Sequence, residues 1–179
     1  MIKVGNFRSE EGNKMNNYQA FYFQDDGKIP NNPTLPVILY KNSVKTPESS
    51  MESLFNKNQW LNSWTNGVFD YHHYHSNSHE VLGIVKGRAT LMLGGENGQE
   101  IHVQSGDVIV LPAGTGHKRL NASPDFSVVG AYPNGMDYNT RYGKESERPE
   151  VIEEIKRVPI PKTDPLTGKE GPLLKEWQK

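Results

Sequence analysis

The histidine-rich stretch GVFDYHHYHSNSHEVLGIVKG, residues 67–87, holds four of the six histidines of the chain. His73 and His75 are two positions apart, and in a β-strand such residues point to the same face. The small polar residues at 76–78 favour a turn, because their side chains can satisfy a reversing backbone. The stretch therefore predicts that Glu80 returns towards the two imidazoles.

A second stretch, GDVIVLPAGTGHKRLN at residues 106–121, reads as an apolar strand, a Pro/Gly turn and then His117. This histidine is the candidate for a further ligand. Three imidazoles and one carboxylate suit a divalent transition metal. We therefore expect one metal site, formed by His73, His75, Glu80 and His117.

The two stretches resemble the two signature motifs of the cupin superfamily, in their usual order. They can be written Gly67-x5-His73-x-His75-x4-Glu80-x6-Gly87 and Gly106-x5-Pro112-x-Gly114-x2-His117-x3-Asn121. The resemblance implies an all-β fold, a double-stranded β-helix (RmlC-like jelly roll), with an N-terminal strand extension and one or two short helices. It also implies a metal held inside the barrel by the same four side chains.

Two flanking stretches carry a narrower resemblance. FQDDGKIPNNPTLPVILYK at residues 23–41 and DPLTGKEGPLLKEW at residues 164–177 resemble the YjlB-like group of single-domain bacterial cupins. That group has no assigned reaction to carry over. The narrower resemblance therefore supports the fold and leaves the chemistry to the site itself.

The expected organisation is a polar tail at 1–17 and a single cupin domain at 18–179. We expect the barrel core at about 67–132, N-terminal strands and a helix at 18–66, and a C-terminal helix and docked tail at 133–179. The finer expectations are strands at 18–23 and 37–41, a helix at about 47–62, a short helix within 148–158, and an extended segment after it. Trp60 and Trp64 are expected to pack the helix onto the barrel, and a ligand-stacking pair is the alternative.

The composition limits the kinds of molecule that the protein is expected to bind. The formal net charge is −1, so no basic footprint for nucleic acid or an anionic membrane is visible. No run approaches the ~18 apolar residues of a membrane span, and the first residues lack a signal-peptide core, so we expect cytoplasmic localisation. Cysteine is absent, which excludes disulfides and thiolate ligands. We expect a small anionic molecule as the partner, and assembly as a homodimer stays open.

The other histidines have different expected roles. His72 and His79 neighbour the candidate ligands in sequence, and strand alternation should turn them to the opposite face. His102 alternates with apolar residues in the hairpin after the first motif, which indicates a solvated surface histidine.

Arg119 follows His117 by two residues, so a regular strand would point both side chains inwards. It could clamp a substrate carboxylate through two hydrogen bonds, or form a structural ion pair at the barrel rim, and both interpretations stay open. Asp70, Asp137 and Tyr138 are near enough in sequence to reach the site, but no spacing assigns them a role.

The ligand set alone does not name the single divalent ion, because imidazole with carboxylate suits iron, manganese, nickel, cobalt, copper or zinc. Iron or manganese is the favoured expectation, since oxygen chemistry requires a metal that can pass electrons. A divalent ion with one carboxylate leaves a net charge of about +1, which attracts an anionic carboxylate or enediol. The leading function is therefore a metal-dependent enzyme, with oxygenase or with decarboxylase or isomerase chemistry. A binding or storage cupin without turnover is the alternative, and a purely structural metal site is the third class.

Overall fold

Two antiparallel β-sheets form the protein in the computed structural model, which describes residues 2–8 and 15–178. The strands are β1 Ile2–Arg8, β2 Met15–Phe21, β3 Val37–Tyr40, β4 Trp60–Asn66, β5 Glu80–Lys86, β6 Arg88–Leu93, β7 Gln99–Gln104, β8 Val108–Leu111, β9 His117–Ala122 and β10 Ser127–Pro133. The helices are α1 Pro47–Lys57, α2 Glu150–Arg157 and α3 Pro172–Glu176. The fold is the expected double-stranded β-helix.

The larger sheet has the order β1-β2-β3-β8-β5-β10-β4, and the smaller one has the order β7-β6-β9. Inward side chains of both sheets share one apolar cluster, which includes Leu82 and Ile84 of β5 and Leu91 of β6. Because alternate residues of a strand share a face, Glu80 lies on the same inner side as Leu82. The first residue of β5 is thus placed between the sheets.

The outer face of the larger sheet is covered as well. Val81 and Val85 of β5 contribute to a second cluster, together with Met51 and Phe55 of α1 and Trp177 from the end of the chain. A strand buried on both faces explains why EVLGIVK is almost continuously apolar after its first residue. This covering holds β5, and with it Glu80, in place.

Helix α1 is shorter than expected. It begins at Pro47, as the Thr-Pro-Glu start predicted, but it ends at Lys57 and not near residue 62. Gln59 has φ 66°, a left-handed conformation that stops the helix. The next seven residues form β4, which pairs with β10. Trp60 is fully buried beside the helix, as expected.

The prediction of a polar tail over residues 1–17 is wrong for Ile2–Arg8, which form β1, and for residues 15–17, which begin its partner β2. The rest of that prediction, at residues 1 and 9–14, lies outside the described residues. Strand β1 is anchored from a distance: Phe7 is buried against Tyr40, with ring centroids 5.1 Å apart, and the Lys3 amine donates to Glu176 at 2.9 Å. Distant partners of this kind leave no local sequence signal. The prediction of one domain over 18–179 stays a prediction.

The C-terminal segment docks on the outer face, as expected, but it contains helix α3 where an extended chain was predicted. Trp177 donates from Nε1 to the carbonyl of Pro36 at 2.8 Å. Buried Asp164 accepts the Tyr40 hydroxyl at 2.6 Å and the Leu173 amide at 3.0 Å. Within the described residues, no helix is long and apolar enough to cross a membrane.

Candidate metal centre

A cavity of about 570 Å³ opens between the sheets, and all four predicted ligands line it. His73, His75, Glu80 and His117 are each at most 7% exposed. Three separate stretches of chain therefore deliver the four side chains to one buried end of the cavity.

The backbone explains how the two motifs meet. His73 and His117 form an antiparallel bridge, with N···O distances of 3.3 Å and 3.0 Å. The turn before His117 needs Gly114, whose φ of 92° disfavours any residue with a side chain. The amide of Gly114 also donates to the carbonyl of His75 at 2.7 Å. The turn thus binds the second motif directly to the first.

Glu80 is the centre of the cluster. Its Oε2 atom lies 2.8 Å from Nε2 of His75, and its Oε1 atom lies 3.9 Å from Nε2 of His117. The donor atoms of these three residues all lie within 4.8 Å of one another, an arrangement that can hold a metal ion. His73 stands beside this group, with its ring centroid 4.0 Å from that of His117 and 6.3 Å from that of His75.

Backbone carbonyls fix the orientation of all three imidazoles. Nδ1 of His73 bonds the carbonyl of Tyr71 at 3.0 Å, and Nδ1 of His117 bonds that of Thr115 at 3.1 Å. Nδ1 of His75 bonds the carbonyl of Asn139. A carbonyl only accepts, so each Nδ1 carries a proton. Nε2 of His75 faces Oε2 of Glu80 at 2.8 Å, where it can carry a second proton, and Nε2 of His73 and Nε2 of His117 each keep a free lone pair. This is the tautomer that a metal bound at Nε2 requires.

The protonation of the imidazoles follows from their surroundings. Burial, together with the neighbouring His73 and His75, holds the pKa of His117 well below its usual value. Burial likewise lowers the pKa of His73. For His75, burial also opposes protonation, but the Glu80 carboxylate outweighs it and raises the pKa. His73 and His117 are therefore neutral at pH 7 and able to act as ligands.

The other histidines point elsewhere. His72 pairs with Glu96 at the surface, with Nε2 2.6 Å from Oε1. His79 is fully buried away from the cavity and accepts the Ala113 amide at Nδ1 at 2.9 Å. His102 is exposed and lies 3.0 Å from the Thr90 hydroxyl. Alternation about His73 and His75 holds, although residues 72–75 form only isolated bridges and not a regular strand.

Arg119 lines the cavity together with His117 and is partly exposed. Within the described part of the chain, Arg119 forms no ion pair. Asp70 and Tyr138 also line the cavity, and Asp137 is exposed outside it.

Trp64 and Tyr132 line the cavity as well. The sequence assigned no role to Tyr132, and for Trp64 it offered ligand stacking only as the alternative. The expectation that Trp64 packs a helix onto the barrel is wrong, because its side chain packs against the apolar cluster between the sheets. Its indole lies against Gly130, where an added Cβ would come within 2.3 Å of the ring. Its Nε1 donates to the Tyr132 hydroxyl at 2.8 Å. Burial and the nearby Glu80 carboxylate raise the pKa of Tyr132, so this hydroxyl stays protonated.

A segment after the barrel supports His75 from behind. Oδ1 of Asn139 accepts the Ser76 amide at 2.9 Å, and Nδ2 of Asn139 donates to the Ser76 hydroxyl at 2.7 Å. The Ser76 hydroxyl in turn donates to Glu154 of α2. This network holds the Asn139 carbonyl against the His75 ring. No sequence pattern could indicate it, since the contacting group is a backbone carbonyl.

Comparison with known proteins agrees with the motifs. Residues 64–129 match the sequence model of the family described as Cupin domain. The chain is 48% identical to YjlB of Bacillus subtilis (strain 168), described as an uncharacterized protein, over 161 residues that cover 90% of this chain and 97% of that protein.

Solved structures with a similar fold are more distant. Acireductone dioxygenase from Bacillus anthracis, with a cadmium ion in its active centre, is 17% identical over 54% of this chain and 64% of that chain, with a TM-score of 0.39. A variant of oxalate decarboxylase from Bacillus subtilis is 16% identical over 79% of this chain and 32% of that chain, with a TM-score of 0.36. Identities and TM-scores this low say nothing about the reaction of this chain.

Proposed function

The chain belongs to the cupins, as a member of the YjlB-like group, and we propose that it is a metal-dependent enzyme acting on a small anionic substrate. The proposed ligands are His73, His75, Glu80 and His117. The proposed substrates are carboxylates or enediols, transformed by oxygenase or by decarboxylase or isomerase chemistry. The alternative is a cupin that binds such a molecule without turning it over.

The observation that carries the proposal is the shared orientation of the three imidazoles. Each ring donates a hydrogen bond from Nδ1 to a backbone carbonyl, which leaves the three Nε2 atoms as the atoms that a metal would bind, beside one carboxylate. The donor set of imidazole and carboxylate fits a divalent first-row metal, with iron or manganese favoured.

A divalent ion bound there would polarise the oxygens of a bound substrate, and a redox-active ion would also allow oxygen chemistry. The protein would supply binding and orientation. The cavity is open on one side, so a substrate can reach the ligands, which counts against a purely structural site. The Tyr132 hydroxyl, protonated beside Glu80, could donate a hydrogen bond to a substrate oxygen.

Arg119 is the proposed clamp for the substrate carboxylate. Its guanidinium lines the same cavity, and its charge is not matched by an ion pair within the residues that the structure describes. For the alternative, a structural ion pair at the barrel rim, the described residues provide no acidic partner for Arg119. A guanidinium can bind a carboxylate through two parallel hydrogen bonds, which would orient the substrate towards the ligands.

The test offers a panel of small carboxylates and enediols to the iron, manganese and zinc forms, and follows oxygen consumption and product together. We expect turnover with iron or manganese and none with zinc. Equal activity in the zinc form would reject the oxygenase chemistry in favour of isomerase or decarboxylase chemistry. Saturable binding without turnover in every metal form would favour the binding protein.

The same assay tests Arg119. Arg119→Gln should raise the KM for an acidic substrate and leave metal content intact. Arg88→Gln is the matched control, because Arg88 is an exposed arginine that does not line the cavity. An unchanged KM in Arg119→Gln would remove the clamp from the proposal.

A further inference from the structure

Aromatic rings stand on both sides of the histidine row. The Phe69 ring lies 5.0 Å from His73, and the Tyr138 ring lies 5.0 Å from His75, centroid to centroid. Both line the cavity. Phe69 is nevertheless 53% exposed and Tyr138 is 41% exposed. The cavity therefore presents two solvent-exposed aromatic rings next to the candidate metal ligands.

Each of these rings is backed by a second ring that sets its plane. Phe69 stacks on Tyr71 at 4.9 Å, with 12° between the planes. Tyr138 stacks on Tyr132 at 4.2 Å, with 16° between the planes, and Tyr132 is held by the Trp64 indole. Tyr132 is fully buried, so the Tyr138 ring loses little further freedom when a ligand covers it, which favours binding.

The aromatic and cationic groups are adjacent. The amide of Arg119 donates to the carbonyl of Phe69 at 2.9 Å, so the two residues are neighbours on adjacent chain segments, and both line the cavity. The apolar side chains of Val68 and Leu82 continue the lining. A molecule that only filled the polar end would leave these surfaces in water, at the usual cost of exposed apolar area.

We propose that the ligand of this cavity is an aromatic acid: a carboxylate with a neighbouring oxygen at the ligand cluster and Arg119, and a flat ring against Phe69 or Tyr138. This inference rests on the proposed function, since the metal is to bind the oxygen-bearing head. It narrows the proposed substrates from small anions in general to small anions that carry a planar aromatic ring.

The test uses three 2-hydroxy acids with the same head: lactate, mandelate and hexahydromandelate. Lactate lacks the ring, and hexahydromandelate carries a puckered ring of equal carbon number. Dissociation constants are measured by calorimetry on the manganese-loaded full chain without oxygen. Mandelate should bind at least about tenfold more tightly than lactate, because it buries a phenyl ring. It should bind roughly two- to twelve-fold more tightly than hexahydromandelate, because ring contacts add to area burial.

Two variants locate the effect. Phe69→Leu and Tyr138→Leu keep an apolar side chain and remove the flat ring, and at least one should reduce the ratio of lactate to mandelate dissociation constants. A ratio is used because it cancels any general loss of binding. Tyr22→Leu is the matched control, since Tyr22 is 45% exposed and outside the cavity, and it should keep the ratio of the parent chain.

Several results would overturn the inference. These are a ratio near one in the parent chain, equal binding of mandelate and hexahydromandelate, a ratio that survives both variants, or no binding of any of the three acids. Sedimentation that shows Phe69→Leu dissociating a dimer would also overturn it, because a second copy would then cover the rings. A chain that takes up no manganese fails before any acid is added, and that result rejects the proposed function together with this inference.

Discussion

Removal of the metal should lower the melting temperature of the parent chain and leave that of His117→Ala nearly unchanged. The ligands come from three stretches of chain that meet only between the folded sheets, so the unfolded chain has no assembled site. An ion that binds only the folded state, at about 100 times its dissociation constant, adds about 2.7 kcal/mol to the free energy of unfolding.

The expected shift in melting temperature follows from the chain length. For 179 residues, with an unfolding entropy of ~2.1 cal/mol/K per residue, that free energy corresponds to about 7 °C. The assay is calorimetry or dye-monitored melting of each protein, with the favoured metal and then with excess EDTA. The quantity compared is the shift caused by EDTA, because His117→Ala can change the melting temperature for other reasons.

His102→Ala serves as the control, since His102 is exposed on β7 and far from the cavity lining. It should show the full EDTA shift of the parent chain. Equal shifts in the parent chain and in His117→Ala would refute the reasoning, because the stabilising ion would then bind somewhere else.

Two further predictions concern groups around the site. Hydrogen bonds to the buried Glu147 carboxylate outweigh the opposing effect of burial and lower its pKa, so its stabilising contribution is present above the unfolded pKa of about 4.5 and lost as pH falls below it. The free energy of unfolding, measured in urea with EDTA between about pH 6 and about pH 3, should therefore fall more steeply in the parent chain than in Glu147→Gln, and equal slopes would contradict this. Asn139→Ala keeps the carbonyl that His75 contacts but removes the side-chain bonds to Ser76 that hold it, so it should raise the metal dissociation constant by up to about 10-fold, measured by competition with a chelator; an unchanged constant would contradict it.

The strands of the two motifs could be predicted because their signals are local. Glycines and turn residues bound β5, β8 and β9, and Asn-Gly marks the hairpin between β6 and β7. The histidine pair could be assigned to one face from its spacing alone. The covering of β5 on both sides could be expected only from its continuous apolar content.

The sequence predicts that the helix continues into the first residues of β4, because the determinants of this strand are not local. Trp60 and Trp64 fit the spacing of a helix face, and the strand conformation depends on pairing with β10, some 70 residues later in the chain. The same applies to β1, which contacts β2 and the C-terminal segment. A single sequence contains the partners but does not show that they meet.

At the site, the candidate ligand side chains could be proposed from the sequence, but the groups that hold them in position could not. The groups that orient the imidazoles are carbonyls of Tyr71, Thr115 and Asn139, and every residue has a carbonyl. The aromatic lining of the cavity could not be predicted from the sequence either, because Trp64 of β4 and Tyr132 of β10 meet at the cavity only once the sheet has formed.

The most direct test is the metal content of the purified full chain after saturation and removal of free metal, measured by elemental analysis. The parent chain and His79→Ala should each hold one ion per chain, since His79 faces away from the cavity, and His75→Ala should hold almost none. An empty parent chain, or a His79→Ala variant as depleted as His75→Ala, would contradict the proposed metal centre.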